Sequence, residues 1–288
     1  MKNMKYKLKG HESFMPREGW LSKALRLIET EPKMFSLNYG ADTLGVGANM
    51  AKAVKYWALA SDLIEEDVKY SYKRTALGEC IYENDRYIED IFTLWILHIN
   101  IASNFEKATI WNLFFNAGNL EEFTKEDMIR IMSNHLANVI GTDEFSEKSL
   151  ADDCTGILNM YSKVRCKNYD PEENTISPFT RLRLITKNNL KYKKTVPDID
   201  KLDEKVVLFI LNRMINSKDY RSINISDATY GNNGLKALLN LKINDVYEYL
   251  DKLAENEYII LNRTAGLDMI YLTKEMSDTD ILNEYYNG

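Results

Sequence analysis

The chain has 288 residues, 45% of them hydrophobic and 11% aromatic, enough to fill the cores of two or three domains without help from disulfides or a structural metal. Its net charge of −6 excludes a uniformly basic nucleic-acid binder, but the charge is segregated. Residues 1–75 carry a net +4, 76–160 a net −10, 161–198 a net +5 and 199–288 a net −5. Phosphate contacts are local, so a polyanion would be drawn to the first and third segments.

An extended arm or strand is expected up to Gly10, followed by GHESFMPREGWLSKALRLIETEP, where Trp20, Ala24, Leu27 and Ile28 recur at helical spacing and Pro32 ends the run. Next comes LGVGANMAKAVKYWALASDLIEE. Val46, Met50, Ala53, Val54 and Trp57 share one helical face, and Asn49, Lys52, Lys55 and Tyr56 form an opposite face of donors without an acid. Gly45 and Gly47 read as the tight turn before this helix, because LGVGANM matches neither GxGxxG nor GxxxxGK[ST]. DLIEEDVKYSYKRT then predicts a hairpin turning near Glu66 and Asp67, with Tyr70 and Tyr72 alternating against Lys69, Ser71 and Lys73. Helix, turn, helix and hairpin in this order is winged-helix topology.

From Ala76 to Tyr161 the pattern is helical almost throughout. DIFTLWILHINIASNF is too long for a strand and too short for a membrane span, so it reads as a core helix. Thr124 and Asp127 have capping-box spacing before a further helix, CTGILNMYSKVRC continues helix, and KNYDPEENTISP is a polar loop. Beyond Phe179 the chain is basic, with a boundary at Pro197. A helix capped by Asp203, two more in GLKALLNLKINDVYEYLDKLAENEYI, and a hairpin turning at Thr264 to Gly266 predict a second winged helix. Its recognition-helix candidate carries Asp245, Glu248, Asp251 and Glu255 beside Lys252, which suits a protein contact rather than DNA. The expected fold is therefore mainly α: an N-terminal winged helix-turn-helix over 1–75, a central helical domain over 76–198, and a winged-helix-like interaction domain with short β-hairpins over 199–288.

Catalytic chemistry has few candidates. GHESFMPREGW brings His11, Glu12, Ser13, Arg17 and Glu18 together, and two uses compete: proton transfer by His11 and Glu12, or pinning of the arm with His11 and Arg17 as phosphate or anion contacts. The second is the simpler, so no catalytic residue is assigned. Asp85, Glu89 and Asp90 read as helix-dipole complementation rather than a two-metal site. No metal is expected: His11, His98 and His135 lack partners at ligand spacing, and His98 and His135 read as core histidines. No cofactor is expected either. Cys80, Cys154 and Cys166 fit structural thiols in a reducing compartment. No run of about 20 apolar residues is present, and MKNMKYKLKG has no apolar stretch behind it, so no membrane association and a cytoplasmic location are expected.

At GHESFMPREGWLSKAL, LGVGANMAKAVKYW, ALGECIYENDRYIEDIFTLWILH and NRTAGLDMIYL the chain resembles the bacterial family known as domain of unknown function 4007, nearly end to end. The resemblance implies a cytosolic protein encoded beside DNA phosphorothioation genes, whose partners would include a sulfurtransferase and an ATPase, and so a role in DNA modification or phage defence. Ala48 stands where the family usually has lysine, which removes one possible phosphate contact.

Together these readings predict a non-catalytic DNA-binding subunit of a phosphorothioation or phage-defence system, with Asn49, Lys52, Lys55 and Tyr56 facing the groove of double-stranded DNA and Lys69, Lys73 and Arg74 on phosphate. The alternatives are an operator-binding regulator of the same genes, acting as a homodimer, a nuclease or modifying enzyme using His11 and Glu12, and a pure protein adaptor.

Overall fold

The structure, a computed structural model, describes residues 5–117, 120–163, 176–217, 221–264 and 267–288. It is mainly helical with small antiparallel sheets and divides into two compact units, Met1–Thr195 and Val196–Gly288. No helix among the described residues is long and apolar enough to cross a membrane.

The first unit begins with an extended arm rather than a strand. Backbone amides of Lys7 and Lys9 donate to Thr109 Oγ1 and to both Asp153 carboxylate oxygens, so side chains satisfy donors that a sheet would otherwise take. Helix α1 (Trp20–Thr30) buries Trp20, Leu21, Ala24, Leu25 and Ile28, and stops immediately before Glu31-Pro32. The short α2 (Ala41–Leu44) ends at Gly45, whose φ of 63° is the left-handed conformation that glycine adopts without a Cβ clash. Gly47 then leads into α3 (Ala48–Ala60), where Ala53, Val54 and Trp57 are buried as their spacing predicts.

Strands β1 (Ile64–Val68) and β2 (Ser71–Arg74) form the expected hairpin, but its turn lies at Lys69 and Tyr70. The Glu66 carboxylate accepts the Tyr70 N–H at 2.9 Å and closes the loop there, with Tyr70 at φ 64°. Tyr70 is therefore exposed, while Tyr72 enters the core against Phe35. The Tyr72 N–H donates to Pro32 O at 2.8 Å, which lays the segment after α1 alongside β2.

Helix α4 (Ala76–Asn84) follows, then α5 (Ile91–Ser103), in which every residue from Phe92 to Ala102 is buried; this is the predicted core helix, capped by Asp90. After α6 (Thr109–Asn116) comes β3 (Glu122–Thr124), then α7 (Lys125–Ile140) with the Thr124–Asp127 capping box, and α8 (Glu147–Ser162). The basic stretch beyond Phe179 forms a second hairpin, β4 (Ile185–Asn188) and β5 (Lys191–Lys194), giving the sheet order β3-β5-β4. Neither β3 nor this hairpin is visible as alternation: one has three residues, and only Ile185 of β4 is buried. Most of the predicted 167–178 loop, the end of the CTGILNMYSKVRC run and Cys166 lie outside the described residues; Cys80 and Cys154 are buried thiols.

The second unit runs α9 (Glu204–Asn216), β6 (Ser222–Asn224), α10 (Ile225–Tyr230), α11 (Leu235–Leu239), α12 (Ile243–Glu255), β7 (Ile259–Thr264), β8 (Leu267–Leu272) and α13 (Asp278–Tyr286). Asp203 caps α9 as expected. The pairing of Thr264 with Leu267 closes the predicted hairpin, whose turn residues Ala265 and Gly266 lie outside the described residues. The strand order, β6-β8-β7, repeats that of β3-β5-β4, and both sheets are built by the same succession of helix, short strand, two or three helices and hairpin. The stretch from α1 to β2 follows it too, with Pro32 O in place of the first strand.

Candidate nucleic-acid interface

The outer face of α3 is built by one helical repeat. Asn49 is exposed, and Lys52 lies one turn on, with Nζ 3.3 Å from Asn49 Oδ1, 3.8 Å from Glu12 and 4.6 Å above the Tyr39 ring. Lys55 rests with its ammonium 4.5 Å over the Tyr72 ring, a cation–π contact that orders it. Lys69 is exposed at the tip of the β1–β2 hairpin, beside the Tyr70 ring.

The other predicted contacts are more committed. Lys73 pairs with Asp67 at 2.9 Å and Glu65 at 3.6 Å across the hairpin, and Asp67 holds its ammonium above the ordinary lysine range. Tyr56 donates its hydroxyl to Lys107 O at 2.9 Å, and burial pushes that hydroxyl far above the usual tyrosine range. The Arg74 side chain is 7% exposed and spends its guanidinium on Leu25 O, Glu29 and Glu79, stacked 3.5 Å over Tyr82. It braces α1, β2 and α4 against one another.

His11 is fully buried. Its Nδ1 accepts the Ser13 N–H at 3.0 Å, which puts the proton on Nε2, and Nε2 donates to Asp153 Oδ1 at 2.7 Å. The ring stacks on Trp57 and meets the edge of Trp111. Burial raises the Asp153 carboxyl above its ordinary range, against the opposing pull of His11. Both ring nitrogens are thus occupied, and the imidazole reaches no external ligand. Arg17 is half-buried with its guanidinium over Trp20.

The carboxylates Asp85 and Asp90 cap rather than cluster. Asp85 accepts from Glu89 N, Asp90 N and Thr93 Oγ1, and Asp90 from Phe92 N; no group of three His, Cys, Asp or Glu able to hold a metal is present among the described residues. His98 is the satisfied core histidine expected, bonded to Tyr161. His135 is not in the core: it lies on the solvent side of α7, whose buried positions are Met128, Met132 and Leu136.

Sequence reading missed the β4–β5 hairpin, although the net charge of residues 161–198 marks its location. Between Ile185 and Lys194 the chain has Lys187, Lys191, Lys193 and Lys194 and no acid. Lys194 is half-buried, with Nζ donating to Phe114 O at 2.7 Å, whereas Lys187 and Lys193 are exposed and Lys191 pairs with Glu122. By contrast, α12 has Asp245 bonded to the Lys242 N–H, Asp251 paired with Arg263, and Glu248 and Glu255 beside them. In α8, Asp152 pairs with Lys9. Of α3, α8 and α12, α3 alone carries no acidic residue.

The family model described as "Protein of unknown function (DUF4007)" matches residues 8–286. This chain belongs to the DUF4007 family. Two solved structures resemble the DUF4007 chain described above, a "Magnesium ion-bound SspB crystal structure" with a TM-score of 0.85 and an "SspB crystal structure" with 0.83. Each is 22% identical, covering 98% of this chain and 88% of that one, so what is shared is the fold. No curated protein matches the sequence.

Proposed function

We propose that this DUF4007 protein is a non-catalytic DNA-binding subunit of a DNA phosphorothioate-modification or phage-defence system. The stretch from α1 to β2 acts as a winged helix-turn-helix that lays α3 in the major groove of duplex DNA. One observation carries the reading: α3 has no carboxylate, and its outer face offers Asn49, Lys52 and Lys55, two of them ordered over aromatic rings. Asparagine and lysine are suited to base edges, and lysine to phosphate. Lys69 and Lys73 on the hairpin supply further cations, and Lys187 and Lys193 extend the same chemistry to a second hairpin. Tyr56 and Arg74 support the surface from within. The acidic α12 fits a contact with partner proteins better than with phosphate. The pathway itself, with its sulfurtransferase and ATPase partners, rests on the family resemblance.

Fluorescence anisotropy with a labelled duplex tests this reading. The logarithm of the affinity should fall with the logarithm of salt by about 0.9 per phosphate neutralised, and Lys52→Glu or Lys55→Glu should weaken binding by at least about tenfold. Unchanged binding by both variants refutes it. A nuclease is the second reading, favoured because one similar structure is described as magnesium-bound. His11 is not its base, being sealed, and the described residues offer no three-ligand cluster; magnesium commonly takes only one or two carboxylates with water. Cleavage of plasmid DNA by the purified protein with magnesium, abolished by chelator, would replace the first reading with this one.

A further inference from the structure

In the first unit, the start of α1, the loop between α4 and α5, and the turn at Pro178–Leu182 enclose a cleft of about 490 Å³. That volume is in the range of small-molecule sites. Two arginines line it, Arg17 and Arg181. Each is positioned by a contact that leaves donors unused among the described residues: Arg17 stacks on Trp20, and Arg181 donates one N–H to Glu89 O at 2.8 Å. No ion pair joins either to Glu18 or Glu89, the carboxylates that share the lining, among the described residues.

The backbone offers the same chemistry. Gly19, at the N-cap of α1, is left-handed at φ 79°, and the helix has no side-chain cap and no acid in its first turn. Leu21 and Ser22, whose amides belong to the first turn of that helix, line the cleft. Tyr87, 69% exposed, also lines the cleft, next to Ile88, a β-branched residue at φ 57°.

We propose that this cleft binds a nucleoside 5′-phosphate. The phosphate sits between the guanidiniums of Arg17 and Arg181 at the amino end of α1, and the base lies against the Tyr87 ring. Two arginine forks with a row of amides recognise a phosphate monoester, and an exposed aromatic face accepts any planar base. Two sources share this chemistry: a free nucleotide, and the 5′-phosphorylated end of a DNA strand. The site is separate from the outer face of α3 and does not depend on it.

The test is calorimetric titration of the full-length protein with deoxyadenosine 5′-monophosphate, deoxyadenosine and inorganic phosphate, followed by competition with a short duplex bearing a 5′-phosphate or a 5′-hydroxyl. Saturable one-to-one binding of the monophosphate in the millimolar range or tighter is expected, with the nucleoside at least about tenfold weaker. The double variant Arg17→Ala/Arg181→Ala should weaken the monophosphate by at least about tenfold, and Lys52→Glu should leave it unchanged. Displacement by the 5′-phosphorylated duplex alone assigns the site to strand ends, and no displacement by either duplex assigns it to a free nucleotide. If the alanine pair fails to fold, Arg17→Lys/Arg181→Lys keeps the charge but loses the forks, and should weaken binding measurably. No binding at several millimolar, equal binding of the nucleoside, or unchanged binding in the folded arginine variants overturns the proposal.

Discussion

His11 Nε2 lies 2.7 Å from Asp153 Oδ1, and this bond joins residues 142 positions apart at the centre of the first unit. Asp153 also accepts the Lys9 N–H on both oxygens, and His11 stacks on Trp57, whose indole N–H donates to Phe14 O. The arm, α3 and α8 therefore meet in one hydrogen-bonded knot. Asp153→Ala leaves the Lys9 and His11 donors buried without an acceptor and should cost about 3–5 kcal/mol in denaturant unfolding. A loss below about 1 kcal/mol would remove the pair from its structural role.

Acid titration separates the contributions of this knot. Burial raises the Asp153 carboxyl above 3.8, so the native protein binds that proton more readily than the unfolded chain. Its contribution to stability is full below the unfolded value and is lost as pH rises through the native one. The stability advantage of wild type over Asp153→Asn should accordingly shrink as pH rises through the elevated native value. Asp127 has the opposite sign. Its hydrogen bonds with Thr124 hold it below the ordinary range, and its contribution disappears as pH falls through that lowered value. An advantage over Asp153→Asn that grows with pH would mean that the His11 contact outweighs desolvation.

Arg74 and Lys52 should separate stability from DNA affinity. Arg74→Ala removes a buried guanidinium with carboxylate, carbonyl and ring contacts, and should cost roughly 2 kcal/mol of stability while leaving the salt slope of DNA binding unchanged. Lys52→Glu should do the reverse. Thermal unfolding paired with anisotropy over a salt series checks both, and a reduced slope in Arg74→Ala would make that arginine a phosphate contact after all.

The hairpin lysines bear on the extent of the interface. Lys187→Glu/Lys193→Glu alters two exposed side chains and should leave the unfolding midpoint nearly unchanged. If both cations touch the backbone of a bound duplex, the salt slope should drop by about 1.8, twice the value for one phosphate. An unaltered slope confines the interface to α3 and the first hairpin.

Much of this was legible from spacing. The apolar face of α3, the enclosed α5, the Thr124–Asp127 box and the Asp203 cap all follow from residues within a few positions of one another, the range over which periodicity and capping act. Pairings across the chain left no such mark. His11 gives no local sign that its acceptor is Asp153, and the side chains that tie Arg74 down come from α1 and α4. Strands β3 and β4 bury too little for alternation to show, so the second hairpin was missed as structure and left its mark only as a basic stretch. The cleft at Arg17 was half visible. Its first arginine belongs to a recognised polar cluster, but Arg181 joins it only through the fold.

The clasp on the arm also sets an order of events during synthesis. Residues 7–11 find their partners on α6 and α8, at Thr109 and Asp153, so the first 75 residues leave the ribosome well before the groups that fix them exist. Contacts so distant in sequence form late, after loop closure has been offset by other packing. The lysine-bearing face of α3 is thus anchored only once the chain has grown past α8, and a truncated or stalled product would carry that helix without its anchor.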